Sequence, residues 1–418
     1  MTRTKLIALS AVLGLTLSGS ARAEDAPGVF KVPGTDSTIK LYGYVQLDTT
    51  FDFSGRDPNV EGNDWAIHSS NIPLDKDAEA RVKKNQLYLT ARTSRFGIET
   101  HTPTKIGDVG VKLEGDFNAA NLESGQSFTN SVLFRLRQAY GTAGGLLVGQ
   151  TWSNFLDLNT YPDVVDFNGP GSIALIRQPQ IRYTLGLAPG VSLAVAAENS
   201  PGTDGNDYAG SDNIRKFQSI PDFTANLGFS GAWGSASVRG VTMNYKRAPA
   251  LPSGKLDPNG SSYSKQGFGG AASAAIKLGG DTLVLHAVGG TGIGRYIFNV
   301  GLSEGAIAVD TGSDLTLVDA AAYHAGFTHV WTPEFRSNLV WSQTFVKNPD
   351  FGGKPVFGTA DNERIDQAFV NTFWTFAKNA EFGLEYGWAR RKTFDTASAT
   401  GEYGHQNRVT GTFHYNFF

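Results

Sequence analysis

The chain has 418 residues, with 36 Lys and Arg against 39 Asp and Glu, a formal net charge of −3, and only 18% charged residues. Without cysteine it can hold no disulfide, no thiolate metal site and no thiol nucleophile. The lack of a basic excess argues against nucleic acid as a partner. A mean hydropathy of −0.22 and the absence of any apolar run of about 18 residues exclude a helical membrane protein.

Residues 1–23 read as a secretory signal peptide. Arg3 and Lys5 supply the positive start, Leu6 to Leu17 the apolar stretch, and Ala21-Arg22-Ala23 the small-x-small cleavage pattern. Residues 24–38 are a short periplasmic lead, too short for a coiled-coil extension. The remainder, 39–418, is read as one domain.

From Lys40 onward the dominant signal is a period of two. In Lys40–Phe53, Leu41, Val45, Leu47, Phe51 and Phe53 share one parity, and Tyr42, Tyr44, Gln46, Asp48, Thr50 and Asp52 the other. Val109–Phe117 repeats it. Ser131–Tyr140 places Phe134, Leu136 and Tyr140 against Arg135 and Arg137. Val409–Phe417 ends the chain in the same way, with Phe418 overhanging by one. Seven short connections (103–108, 142–145, 187–190, 231–234, 279–281, 331–333, 377–380) alternate with eight longer ones (54–80, 119–131, 153–176, 199–221, 248–263, 291–318, 347–363, 392–402). Fifteen connections join about sixteen strands, the even strand count of a bacterial outer-membrane barrel. The fold class is therefore all-β: a closed antiparallel transmembrane barrel with short periplasmic turns and long extracellular loops. The oily parity faces lipid and the polar parity a lumen. Phe373, Trp374, Phe376, Phe382, Tyr386 and Trp388, around turn 377–380, fit an interfacial aromatic girdle.

A barrel of this size is wide enough for an aqueous channel. Parity puts Lys84, Gln86, Tyr88, Thr90, Arg92, Arg135, Arg137, Gln178, Gln180 and Arg182 on the lumen wall. Arg95 joins them through a β-bulge near Ser94–Arg95, after which Phe96 and Ile98 return to the lipid face. Segment 153–176 is too apolar for a solvated loop: it holds Phe155, Leu156, Leu158, Val164, Val165, Phe167 and Ile173. It is expected to fold into the lumen and narrow it, with Asp157, Asp163 and Asp166 across from the wall arginines, so that a transverse field acts on solutes. The alternative for Arg135 and Arg137 is a wall-tying role, paired with Glu114 and Asp116 on the neighbouring strand. Asp157–Asp166 is a poor calcium loop, since Tyr161 and Pro162 stand where a ligand and a glycine are needed. No cofactor or metal is expected.

Ala91–Thr100 (ARTSRFGIET), Phe134–Tyr140 (FRLRQAY), Leu147–Phe155 (LVGQTWSNF), Val165–Pro170 (VDFNGP) and Gln178–Tyr183 (QPQIRY) together resemble the DcaP-like family of outer-membrane porins. The resemblance is densest over 38–185. It implies a sixteen-stranded barrel, a homotrimer in outer-membrane lipid, and passive uptake of small anionic, dicarboxylate-like solutes through a basic constriction. Arg92, Arg95, Arg135, Arg137 and Arg182 lie in the matching motifs and take the constriction role it implies.

Two rivals come from other classes. A barrel hydrolase needs a nucleophile beside a base, and none of the seven histidines sits in such a motif. A structural or adhesive barrel would have a plugged lumen and no apolar inward loop.

Overall fold

The computed structural model describes residues 27–55, 66–77, 84–119, 133–199, 214–217, 219–249, 251, 257–301, 303–311, 313–397 and 399–418. The expected signal peptide at 1–23 lies outside them, as does most of segment 119–131.

β1 (Thr38–Ser54) opens the wall. β2 comes in two pieces, Gln86–Thr90 and Arg95–Thr102. β3 (Val109–Asp116), β4 (Arg135–Ala143), β5 (Leu146–Trp152), β6 (Arg177–Ala188), β7 (Val191–Glu198) and β8 (Asp222–Gly231) follow. The second half comprises β9 (Gly234–Pro249), β10 (Tyr263–Leu278), β11 (Asp281–Thr291), β12 (Asp319–Thr332), β13 (Phe335–Val346), β14 (Asn362–Ala377), β15 (Ala380–Thr393) and β16 (Tyr403–Asn416). Each strand pairs antiparallel with the next, and β16 returns to β1 from Tyr44↔Asn416 to Ser54↔Asn407. The sixteen-strand sheet is thus closed. Closure leaves no edge, which a sheet in hydrocarbon requires because no water is there to satisfy backbone groups.

All seven short connections fall within a residue or two of their expected places. Gly190 takes φ +76° in one of them. In 377–380, which has neither Gly nor Pro, Asn379 adopts φ +65°, a left-handed conformation that Asn tolerates better than most residues.

The alternation survives in the wall. Leu41, Val45, Leu47 and Phe53 are exposed outward, as are Leu87, Phe96, Ile98, Val111, Leu113, Leu339, Val370, Leu384, Phe413, Tyr415 and Phe417. Asp48, Thr50, Asp52, Glu114, Asp116, Thr410 and Thr412 are buried on the other face. The expected bulge is present. Thr90 pairs with Asp48 and Arg95 with Tyr44, so four residues of β2 oppose three of β1.

Two assignments shift. Tyr140 pairs with Lys112 and faces the interior, because the register slips opposite Glu114/Gly115 and Arg137 occupies the slip. Unbroken sequence parity would put Tyr140 on the lipid side. In the girdle, Trp374, Phe376, Phe382 and Tyr386 are exposed outward. Phe373 instead is buried inside beneath the Arg336 guanidinium, 4.3 Å from its ring centroid.

The apolar core sits within the barrel, against one side of the wall. Val241, Met243 and Tyr245 of β9 point inward and are covered by Ile293, Tyr296, Ile297, Val300 and Ile307 of segment 292–318, which contains a short helix, α1 (Phe298–Gly301). Ile67 and Ile72, flanking the turn Ser69–Asn71, pack on Val340, Phe369 and Ala389. Two further segments thus join 153–176 inside the barrel.

Candidate constriction inside the barrel

The basic wall is built on β1 to β6. Arg135 grips Asp116 with both ends of its fork, Nε to Oδ1 at 2.9 Å and Nη2 to Oδ2 at 2.7 Å. Arg137 bridges Glu114 (Nε to Oε1, 2.8 Å) and Asp116 (Nη1 to Oδ2, 2.7 Å). Arg95 adds a longer contact to Glu114 at 3.7 Å and stacks over the Tyr44 ring at 5.1 Å. Three guanidiniums therefore share two carboxylates, and the cluster keeps a positive excess. This pairing is the wall-tying arrangement for Arg135 and Arg137, and the unequal count makes it electrostatically more than a tie. Arg92 is buried at the β2 bulge, donating to Tyr88 Oη at 3.1 Å and Thr90 Oγ1 at 3.2 Å. Arg182 faces the interior from β6, one row toward the short-turn end from Gln180.

Segment 153–176 reaches the wall through its acids, and all three bond to strands of the second half of the barrel. Asp157 accepts from Ser237 Oγ at 2.6 Å and Ser273 Oγ at 3.2 Å, and caps the Asn159 amide at 3.0 Å. Asp163 accepts from Arg336 Nε at 2.6 Å. Asp166 accepts from the Ile67 amide and from Arg408 Nη1, each at 3.0 Å. None of the three bonds to the β1–β6 arginines. The tip does come near them, since the Phe167 ring lies 5.6 Å from the Arg135 guanidinium.

Several residues that hold this loop carry no local mark in the sequence. Glu385 on β15 accepts from the amides of Val165 (2.8 Å) and Asp166 (2.9 Å) and from Asn371 Nδ2 (2.8 Å). Glu198 accepts from the Asn154 amide at 2.8 Å. His324 meets Ser172 Oγ at 2.9 Å and the Thr160 carbonyl at 2.8 Å. Arg239 donates to the Phe155 carbonyl at 2.9 Å. Segment 292–318 docks on the loop in turn, with the Phe298 amide donating to Ile173 O and the Asn299 amide to Gly171 O. Its own apolar run of Ile293, Tyr296, Ile297 and Val300 is the signal that could have found it, the same signal that singles out 153–176.

Burial pushes the Glu304 carboxyl in segment 292–318 up to about 7. It accepts from the Asn362 amide at 2.7 Å and from the adjacent Ser303 hydroxyl. Among the described residues no group of three or more His, Asp or Glu is placed to hold a metal.

A closed barrel with an apolar outer band, a charged interior and a loop pinned across it is an outer-membrane barrel of the porin class. A sequence model described as "DcaP outer membrane protein" matches residues 22–417, and the chain belongs to that family of the bacterial outer membrane. The outer membrane channel DcaP of Acinetobacter baumannii superposes with a TM-score of 0.75 at 28% identity, covering 93% of this chain and 99% of that one. Porin Omp2b of Brucella suis is 28% identical over 218 residues, 50% of this chain and 52% of its own length. The chain thus spans about half the length of the curated relatives it matches. An anion-selective porin from Comamonas acidovorans shares the fold at 13% identity and a TM-score of 0.55, covering 91% of this chain and 100% of that one.

Proposed function

We propose that the chain is a passive diffusion channel for small hydrophilic solutes, with a preference for anions, dicarboxylates among them. The observation that carries this reading is the cluster of Arg95, Arg135 and Arg137 around only Glu114 and Asp116, faced by the tip of a loop whose acids are bonded to the opposite wall. A solute passing the tip meets a positive excess on one side; on the other, Asp163 and Asp166 are held by Arg336 and Arg408, each shared with a second acid, and Asp157 by hydroxyls. A lumen lined with one sign concentrates ions of the other. Arg92 and Arg182 extend the positive wall on either side of the cluster. In this reading Asp157, Asp163 and Asp166 shape the constriction by fixing the loop. The chain acts as a homotrimer in outer-membrane lipid, after removal of residues 1–23, and performs no catalysis.

Swelling of liposomes loaded with the purified protein tests this. Succinate entry should exceed entry of a cation of similar size. Equal rates for both would refute the anion preference, and no swelling at all would refute the channel.

A further inference from the structure

Three segments turn into the barrel from its long-loop side: 66–77, 153–176 and 292–318. One wall side chain touches all three. Gln367 of β14 is fully buried. Its carbonyl oxygen accepts from the Gly171 amide at 2.9 Å and from Asn299 Nδ2 of α1 at 3.4 Å. Its amide nitrogen donates to Ser69 Oγ at 2.9 Å. The two ends of one planar amide thus face different segments, and the Gly171 donor fixes which end is the oxygen. The segments also fit each other at this junction. The Asn299 amide donates to Gly171 O at 2.9 Å, and a Cβ on residue 171 would fall 2.1 Å from Asn299 Oδ1. Glycine at 171 is what lets α1 lie this close. Asn362, at the long-loop end of β14, ties 66–77 to 292–318 a second time. Its Nδ2 donates to Ser70 O at 3.0 Å and its backbone amide to Glu304 Oε1 at 2.7 Å. Among the described residues the Asn362 side chain makes no bond to 153–176. Asp166, Glu385 and Arg408 hold the tip of that loop. Gln367 holds the arm that returns from the tip to β6.

We propose that Gln367 is a positioning residue that locks the three segments into one unit, so that the width left by 153–176 is set jointly with 66–77 and 292–318. Removing its amide leaves the Gly171 N–H an orphan buried donor, which favours release of the arm. The loss reaches all three segments because they share one group. Displacement of 292–318 is then passed to 153–176 through Asn299 and Gln367, without any change at the arginine wall. This inference rests on the channel reading above and adds to it a handle on the pore from the long-loop side.

The test is amide hydrogen exchange beside single-channel recording on the purified full-length protein. Gln367→Met keeps the side-chain length and removes both polar ends. Exchange at Gly171 should accelerate about tenfold, the scale of one lost buried hydrogen bond. The amides of Phe298, Asn299 and Asn71, in the other two segments, should accelerate with it. Conductance should rise and the open-channel current become noisier, while heat-modifiable migration stays that of the wild type. Gln367→Glu keeps an oxygen for the Gly171 amide and offers a second to the Ser69 hydroxyl, so its current should stay nearer the wild type. Ser69→Ala cuts only the bond to 66–77, yet should also accelerate exchange at Gly171 and raise the noise. Wild-type conductance and noise in folded Gln367→Met would overturn the clamp and leave the channel reading standing. Acceleration confined to residue 171, with 298 and 299 unchanged, would overturn it as well. If Gln367→Met fails to fold, Ser69→Ala decides: wild-type exchange at Gly171 and a wild-type current there would overturn the clamp. A silent wild type would overturn the channel reading instead, and exchange at 298 and 299 would still decide whether Gln367 locks the segments.

Discussion

Asp166, near the tip of the inward loop, lies 3.0 Å from Arg408 on the last strand, and that same arginine holds Asp52 of the first strand with two bonds of 2.8 Å. One buried guanidinium therefore links the closure seam of the barrel to the position of the loop. Arg408→Met should leave two buried carboxylates facing each other, a loss on the order of 3–5 kcal/mol for a broken buried pair. The expected outcome is a lower unfolding temperature together with a larger and noisier single-channel conductance. A variant with wild-type conductance would show that the loop does not depend on this link.

Glu385 makes a separate grip on the same tip. In Glu385→Gln the side-chain shape is kept, but one acceptor oxygen becomes a donor facing the amide of Val165 or Asp166. Leaving such a group unsatisfied costs about 1–3 kcal/mol. Hydrogen exchange at the amides of residues 165 and 166 should accelerate by tenfold or more, with exchange in β1 to β4 unaffected.

The arginine–acid arithmetic of the wall can be inverted. Removing both Arg135 and Arg137 by alanine takes two positive charges away from Glu114 and Asp116, so the local field loses its positive excess and the reversal potential should move toward the cation side. Neutralising the acids instead, with Glu114→Gln and Asp116→Asn, should deepen anion preference. If both pairs of changes move the potential in the same direction, or neither moves it, the cluster is only structural.

Segment 292–318 should respond to pH through Glu304. Its carboxyl is raised in the folded protein, because burial disfavours the charged form. The folded state therefore holds its proton across a range where the unfolded state has released it. Stability from this group is fully present below the ordinary glutamate value near 4.5 and is lost as pH rises through about 7. Exchange protection of residues 293–301 should be higher at pH 5 than at pH 8 by tenfold or more, because every tenfold difference in proton affinity between the folded and unfolded carboxyl moves the equilibrium by the same factor. Glu304→Gln should remove most of that dependence.

The strands are legible because each side chain either meets lipid or does not, and a period of two records that choice residue by residue. The turns are legible from local backbone chemistry. Tyr140 escapes the pattern because a one-residue slip at Arg137 reverses every later side chain on β4. Phe373 in fact obeys the alternation, one residue out of step with the outward Trp374, and only its aromatic type near a turn suggested a place in the girdle. Segment 153–176 announces itself by apolar content, and its acids are visible as acids. Their partners are not, since Ser237, Arg336 and Arg408 stand 80, 173 and 242 positions away from the acids they bind. Contacts across a barrel interior leave no local pattern. The inward-pointing Val241, Met243 and Tyr245 break the rule of a polar lumen because segment 292–318 replaces water there.

The most direct test of the account is the reversal potential of the purified protein in a planar bilayer under a potassium chloride gradient. The positive excess of Arg95, Arg135 and Arg137 over Glu114 and Asp116 predicts a potential displaced toward the chloride equilibrium value, with conductance steps in groups of three. A potential displaced toward the potassium value would contradict it, and would hand control of the pore to acids that the structure places against the opposite wall.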